Sequence, residues 1–225
     1  MDESTTTVCM ARMRLALRFA VYNFCFLIIC AVAGASAKAE TAVPAKLSER
    51  DKADITRIEK YFNDLKTMTA KFLQVASNGS VASGTMFLSR PGKFRFEYDP
   101  PSPNMLLADG TFLIFVDKAL GQTTHIFLSS TPVGVLVKDE VRLSGDITVT
   151  GISRRRGLLR VTISDTEDAD DGTLTLVFSQ KPFQLRQWRV VDAQRTVATV
   201  TLNNLRIGMA LDAKLFKFDE GSDDN

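Results

Sequence analysis

Residues 89–104 read SRPGKFRFEYDPPSPN, and this stretch decides which class of fold the chain adopts. In its centre, Phe94, Phe96 and Tyr98 alternate with charged residues, and prolines bound the alternating run on both sides. Successive side chains of an extended strand point to opposite faces, so the three rings share one face. A soluble chain must bury such a face. The stretch therefore predicts a strand on the apolar side of a sheet.

The same alternation continues from residue 68 almost to the end of the chain. Turn-forming pairs such as Asn78-Gly79 and Asp109-Gly110 separate the alternating runs. Short strands joined by tight turns predict one antiparallel meander that curls into a barrel or half-barrel. The candidate strands are 68–76, 81–89, 93–98, 104–108, 111–117, 122–128, 146–153, 157–164, 173–180, 184–192 and 196–206.

An amphipathic helix is expected before the strands, over residues 48–66. Ser48 lies three residues before Asp51, which is the spacing of a helix N-terminal capping signal. Apolar residues then recur at helical spacing. They are Ile55, Ile58, Phe62 and Leu65. We expect this helix to pack its apolar face on the sheet.

A second, shorter helix is expected to interrupt the strands at residues 131–138. Thr131-Pro132 is a typical helix start, because proline fits the first helical position. Gly134 and the neighbouring β-branched valines give the segment poor intrinsic helicity. We therefore expect a segment that is held by its contacts and moves easily.

The first 37 residues have the pattern of a cleaved secretory signal peptide. A basic region with three arginines precedes the apolar run FAVYNFCFLIICAVAGA, and Ala35-Ser36-Ala37 follows. The alternative is a transmembrane anchor, but the run is short for a span and contains Tyr22 and Asn23. We predict a signal peptide at 1–37, a flexible lead-in at 38–47 and a single domain at 48–225.

Composition excludes several classes of function for the exported chain. Three of the 28 basic and two of the 26 acidic residues lie in the signal segment, which leaves 25 against 24. Such a near-neutral chain is not expected to bind nucleic acid. All three cysteines are lost with the segment, and His125 is the only histidine. No catalytic or metal-binding motif stands out. We expect a protein that is not an enzyme and has no cofactor or metal.

Two features leave alternatives open. Seven phenylalanines fall within six consecutive predicted strands, and they either fill a core or line an apolar cavity. They are Phe72, Phe87, Phe94, Phe96, Phe112, Phe115 and Phe127. The basic run SRRRG at 153–157 is either a solvated turn or a docking point for an acidic partner or lipid head group.

In its order of motifs, the chain resembles the LolA family of periplasmic lipoprotein carriers. After the amphipathic helix come MTAKFLQV and then GTMFLSRPGKFRFEYDPPSPNMLLADGTFLIFVDKALGQTT. TPVGVL, VVDAQRTVATVTLNN and LDAKLFKF complete the match over nearly all of the exported chain. The most specific part is RPGKFRFEY followed by DG. The resemblance departs at Phe96, where the family often has Trp, and at the end FDEGSDDN, which lacks the usual Pro-x-Gly continuation.

The resemblance implies a mainly β fold, an incomplete antiparallel barrel of about eleven strands, covered by short helices over an apolar cavity for acyl chains. By position, Arg90 corresponds to the arginine that holds the lid shut, and Phe94 to the aromatic residue near the mouth. The other implied acyl-contacting residues are Phe96, Tyr98, Phe72, Phe87, Phe112 and Phe115. The implied lid helix contains Pro132, Val133 and Leu136.

The function implied is a periplasmic chaperone that carries lipoproteins from the inner membrane to the outer membrane. Its expected partners are acylated lipoproteins, the inner-membrane ABC transporter complex that releases them, and an outer-membrane acceptor or the outer membrane itself. We expect a monomer. The alternative is a periplasmic lipid-binding sensor or a glycolipid carrier with the same half-barrel.

Overall fold

The computed structural model of the 225-residue chain describes residues 40–101 and 104–218. The predicted signal peptide and the last seven residues lie outside the described residues. Among the helices of the described part, none is both long and apolar enough to span a bilayer.

Eleven antiparallel strands form one open sheet, as the alternation predicted, and each begins and ends within two residues of its predicted bounds. Strands that follow one another in the chain are neighbours in the sheet, except β6 and β7. The first strand, β1, pairs with the last, β11, which leaves β6 and β7 as the two edges. The strands are β1 Thr67–Ala76, β2 Val81–Ser89, β3 Lys93–Tyr98, β4 Met105–Asp109, β5 Phe112–Asp117, β6 Gln122–Phe127, β7 Ile147–Arg155, β8 Leu158–Asp165, β9 Gly172–Gln180, β10 Phe183–Asp192 and β11 Val197–Ile207.

The pairing of the strands places the large apolar side chains on one face of the sheet, here called the inner face. Phe94 lies opposite Leu88 and Phe96 opposite Met86, and all four side chains are buried. Phe72 lies opposite Gly84, where a Cβ would stand 2.6 Å from the Phe72 ring. Only glycine leaves room there for the ring. The register thus fixes which aromatic residues meet inside the sheet.

Helix α1, Glu49–Asp64, covers the inner face and confirms the predicted amphipathic helix. It begins with a complete capping box, because the side chains of Ser48 and Asp51 each accept a hydrogen bond from the other residue's backbone. Ile58 and Phe62 are 0% and 1% exposed, so the apolar stripe of the helix is buried against the sheet.

The predicted short helix lies between β6 and β7, but it is a 3₁₀-helix at Pro132–Val137 rather than an α-helix. Gly134 and the valines around it explain the tighter, shorter turn. A preceding 3₁₀ turn, Leu128–Ser130, joins it to β6. We call residues 128–143 the lid segment.

Side chains of α1 hold the far end of the lid segment. The Asn63 amide donates to the carbonyl of Val141 at 3.1 Å and accepts from the N–H of Val141 at 2.8 Å. The Glu59 carboxylate accepts from the N–H of Leu143 at 2.8 Å. Val141 and Leu143 are buried. The helix and the lid segment therefore form one cover over the inner face.

Residues 40–47, expected to be part of a flexible lead-in, are instead held against the sheet. The N–H of Ala45 donates to the carbonyl of Val149 in the edge strand β7 at 2.8 Å. The N–H of Ala42 donates to the carbonyl of Thr166 at 3.1 Å. These bonds give the backbone groups of this part of the edge a partner, which an isolated edge strand lacks.

A half-buried arginine joins α1 to the sheet. Arg154 of β7 donates to Asp54 through Nε at 2.6 Å and to Asp51 through Nη1 at 2.7 Å. The hydrogen bonds from Ser48, followed by those from Arg154, lower the pKa of Asp51 from its ordinary value of 3.8 to about 2. The ionised form of Asp51 is therefore bound more strongly in the folded chain than in the unfolded chain.

Replacing Asp51 by Asn should remove part of the acid sensitivity of the fold. A carboxyl group with a lowered folded-state pKa adds stability above its unfolded pKa, about 4, which is lost as pH falls towards 2. The free energy of unfolding, measured by urea titration between these pH values, should therefore fall less steeply for Asp51→Asn than for wild type. Asp64→Asn, which removes an exposed pair with Lys60, is the control. An unchanged slope in Asp51→Asn would contradict the assignment.

Candidate functional site

Four of the aromatic residues predicted for the site meet on the inner face. The ring centroids of Phe72 and Phe96 are 4.9 Å apart, those of Phe72 and Tyr98 5.1 Å, and those of Phe94 and Phe96 5.7 Å. All three pairs are edge-to-face, which is a favourable geometry for aromatic rings. Trp188 of β10 adds a fifth ring, 6.1 Å from Phe96. The sheet thus carries a continuous aromatic wall.

The cover and this wall belong to one apolar core, so the inner face is filled by protein side chains. Val135, Leu136 and Val137 of the lid segment are at most 6% exposed and belong to the same core cluster as Phe94 and Phe96. Of the predicted lid residues, Leu136 is buried, whereas Pro132 and Val133 are only partly buried. The wall is accessible to a ligand only if the lid segment moves.

A cavity of about 470 Å³ lies at the margin of the lid segment. Its walls come from the end of β6, from the lid segment itself and from β7, β8 and β9. Apolar contributors include Phe127, Leu128, Val135, Ile163 and Leu174. The volume is within the range of small-molecule sites. Of the seven phenylalanines noted in the sequence, Phe127 lines this cavity, but the aromatic residues that the resemblance implies for acyl contact do not.

Arg90 ties the sheet to the end of the lid helix. Its Nη2 donates to the carbonyl of Lys138 and, at 3.3 Å, to the carbonyl of Asp139. Two residues on, the N–H of Gly92 donates to the carbonyl of Val137 at 2.8 Å. The β2–β3 turn thereby donates hydrogen bonds to the carbonyls of Val137, Lys138 and Asp139. Carbonyls at the end of a helix have no partner within the helix.

The guanidinium of Arg90 is only partly satisfied in this arrangement. Among the described residues, its Nε and Nη1 are buried and have no hydrogen-bond partner. Burial lowers the pKa of Arg90, and the nearby Asp139 opposes this only in part. An incompletely satisfied buried cation makes a weaker closure than a fully bonded one, because its desolvation is not fully repaid.

Phe87 and Phe112 were expected to line the acyl-binding side, and the structure places them on the opposite face. Phe87 follows Met86 in β2, and Phe112 precedes Leu113 in β5. Because Met86 and Leu113 face inward, their neighbours face outward. They pack in a second cluster with Leu211, Leu215, Phe216 and Phe218 of the C-terminal segment. A correct strand assignment still leaves the face of each residue to be determined, and here it was wrong for two.

Phe115 lies on the inner side, two strands away from Phe96 and in register with it through Leu106. It is 36% exposed, near the sheet edge formed by β6. His125 of β6 lies on the other face, 6.0 Å from the ring of Phe112 and 5.7 Å from that of Phe218. Among the described residues there is no cluster of side chains suited to a metal ion.

Sequence reasoning missed Trp188, because a bulge breaks the alternation that would have revealed it. Leu185 pairs with Phe178 and Trp188 with Leu176, and the register shifts between Leu185 and Gln187. Both side chains therefore face inward although they are three residues apart. Since a period of two cannot place both on one face, only the paired structure identifies the tryptophan as part of the wall.

Residues 63–219, more than half of the chain, match the family model described as outer membrane lipoprotein carrier protein LolA. The chain belongs to the LolA family. This confirms the resemblance carried by the motifs of β1 to β6 and of the C-terminal segment.

Two relatives matched by sequence agree with the family assignment. An outer-membrane lipoprotein carrier protein of Legionella pneumophila is 30% identical over 179 residues, which cover 72% of this chain and 83% of the relative. The carrier of that name from Pseudomonas aeruginosa is 28% identical over 191 residues, covering 80% and 91%. A LolA superfamily crystal structure from Nitrosomonas europaea is 9% identical, with a TM-score of 0.40, and the match covers 73% of this chain and 97% of that one.

Phe94→Glu should destabilise the fold strongly. Phe94 is 5% exposed and touches Phe96, so a carboxylate at this position would be buried in an apolar core. We expect a loss of about 3 kcal/mol or more, or roughly 10 °C in melting temperature. Phe115→Glu, on the same side but more exposed, is the matched control and should change stability by less than about 1 kcal/mol. Equal melting temperatures for the two variants would contradict the buried position of Phe94.

Proposed function

We propose that this protein binds the acyl chains of lipoproteins on the inner face of its sheet and carries them through the periplasm to the outer membrane. The observation that supports this most directly is an aromatic wall covered by a segment with weak intrinsic structure and closed by one arginine. The family and the names of the relatives support the same class of cargo.

The energetics of such a carrier explain why its binding surface is covered. Each buried methylene contributes about 0.8 kcal/mol, so an acyl chain needs an apolar environment during transport through water. In the closed form, Val135, Leu136 and Val137 occupy this environment. Acyl chains would displace the three residues and take over their place in the core that contains Phe94 and Phe96. Binding is then an exchange of one apolar occupant for another, which keeps the affinity moderate and allows release.

In this proposal Arg90 sets the balance between the closed and open forms. Its bonds to the carbonyls of Lys138 and Asp139 exist only while the lid segment lies on the sheet. Acyl binding breaks them, and the re-formation of these bonds favours handover of the cargo. Two further predicted contacts, Phe72 and Tyr98, belong to the same wall: the Phe72 ring lies against Phe96, and the Tyr98 ring lies against Phe72.

We propose further that residues 1–37 direct export and are removed, so that the carrier acts as a monomer in the periplasm. The cargo is received from the inner-membrane ABC transporter complex and delivered to an outer-membrane acceptor or to the membrane itself. The protein is a binding protein and not an enzyme. The family assignment does not favour the alternative roles of lipid sensor or glycolipid carrier.

Arg90→Leu should bind acyl chains more tightly and pass them on more slowly. The substitution removes hydrogen bonds from the closed form alone, and we expect roughly fivefold to tenfold tighter binding of a fluorescent fatty acid. Transfer of a lipoprotein from the variant to an acceptor should slow by a similar factor. Arg90→Lys should restore part of the function, because lysine keeps the charge without the planar fork.

The matched control for this substitution is Arg189→Leu, which removes an exposed arginine on the other face of β10. It should leave both fatty-acid affinity and transfer unchanged. If Arg90→Leu behaves like Arg189→Leu in both assays, Arg90 does not control the lid segment.

Depletion of the protein in its native cell tests the proposed function as a whole. Lipoproteins destined for the outer membrane should then accumulate at the inner membrane, as measured by membrane fractionation. Expression of wild type should restore sorting, and expression of Arg90→Leu should restore it only in part. Normal sorting after complete depletion would contradict the carrier function.

A further inference from the structure

Five basic side chains gather at one end of the sheet, where the β7–β8 and β9–β10 turns lie next to each other. The N–H of Gln180 donates to the carbonyl of Gly157 at 2.9 Å and joins the two turns. Arg186 extends the cluster, since its Nε donates to the Ser179 hydroxyl at 3.2 Å. We call this cluster the basic end; its members are Arg155, Arg156, Arg160, Lys181 and Arg186.

The three consecutive arginines of this region have different surroundings. Arg154 turns towards α1 and is bound by Asp51 and Asp54. Arg155 and Arg156 are exposed, and with Arg160 they line an open cleft that also includes Ser153 and Leu158. The run SRRRG is thus divided between one structural arginine and two that face the solvent.

The positive charge of the basic end is not neutralised within the described part of the chain. The ion pairs found there involve other basic residues: Lys52, Lys60, Arg95, Lys138, Arg142, Arg154 and Arg195. The two carboxylates of α1 that face this region are bound to Arg154. A cluster of cations without carboxylates attracts an anionic partner.

The apolar surface of the molecule indicates which anionic partner fits. Large exposed hydrophobic side chains of the described residues lie elsewhere, for example Leu73 and Val75 in β1 and Ile126 and Phe127 in β6. At the basic end, Leu158 is only partly exposed. Protein interfaces usually have an apolar or aromatic anchor at their centre, surrounded by polar residues. A cluster of cations without such an anchor fits a diffuse anionic surface better than a folded acidic protein.

We propose that the basic end docks the protein reversibly on a membrane surface that contains anionic phospholipids. Basic residues close to such a surface each strengthen binding by about fivefold, and salt weakens the attraction. Because none of the large exposed apolar side chains of the described residues lies at the basic end, nothing there inserts deeply and the docked protein can leave again. This surface is separate from the acyl-binding face.

The position of the basic end keeps the cavity accessible in the docked protein. The basic end lies at the start of β8, next to Leu158, whereas Ile163 to Asp165 at the end of β8 line the cavity beside the lid segment. Seven steps of about 3.3 Å separate Leu158 from Asp165, or roughly 23 Å along the strand. Docking therefore leaves the lid segment free to meet a protein partner at the membrane.

The test is flotation of the full chain, isolated in the form that its cell exports, with two kinds of vesicle. One contains equal parts of phosphatidylglycerol and phosphatidylethanolamine, and the other contains phosphatidylcholine alone. The triple variant Arg155→Gln, Arg156→Gln, Arg160→Gln should bind the anionic vesicles roughly a hundredfold more weakly than wild type at low salt. The control triple variant Lys93→Gln, Arg189→Gln, Arg206→Gln loses the same charge from exposed positions elsewhere and should bind like wild type.

Three results would overturn the proposal: equal binding of the two triple variants, wild-type binding that is equal for anionic and neutral vesicles, or binding that added salt does not weaken. Poly-glutamate serves as the probe for an acidic polypeptide. If the basic end binds poly-glutamate but not the anionic vesicles, the partner is an acidic protein and the membrane proposal is wrong. The assay contains no lipoprotein, so its outcome does not depend on the carrier function.

Discussion

The eleven-stranded open sheet has an apolar inner face that must be covered, and Arg90 bonds the sheet to the segment that covers it. The guanidinium is part of the β2–β3 turn, and it bonds to Lys138 and Asp139, nearly fifty residues further along the chain. Gly92 adds a backbone bond to Val137. These bonds end the lid helix, whose apolar residues share a core with Phe94 and Phe96. In the proposed mechanism, breaking them opens the aromatic wall to a ligand.

The lid segment is held by fewer hydrogen bonds than the strands of the sheet. Every strand has at least one antiparallel partner, whereas the second half of the lid segment is held by a few polar contacts. Arg90 and Gly92 of the β2–β3 turn bond to residues 137–139, and Asn63 and Glu59 of α1 bond to Val141 and Leu143. Gly134 approaches so closely that a Cβ would stand 2.4 Å from the carbonyl oxygen of Leu128. The apolar residues of the lid segment are well packed, but they do not form a regular α-helix. Local opening therefore requires few bonds to break.

The sequence was sufficient to predict the strands, because alternation and turn signals repeat without interruption. It also indicated α1 correctly through the Ser48 capping box. It did not indicate which face each phenylalanine occupies, since Phe87 and Phe112 depend on register and on the C-terminal segment that covers them. The bulge before Trp188 hid a member of the wall. Long-range bonds, such as those of Arg154 to α1, have no local pattern at all.

Hydrogen exchange of the lid segment, with and without a triacylated lipopeptide, tests whether acyl chains enter beneath this segment. The informative amides are those of Gly92, Val141 and Leu143, which donate to Val137, Asn63 and Glu59 in the closed form. Lipopeptide binding should accelerate their exchange, while the amides that join β8 to β9 stay protected. If the lipopeptide binds and these three amides remain as protected as before, acyl chains do not enter beneath the lid segment.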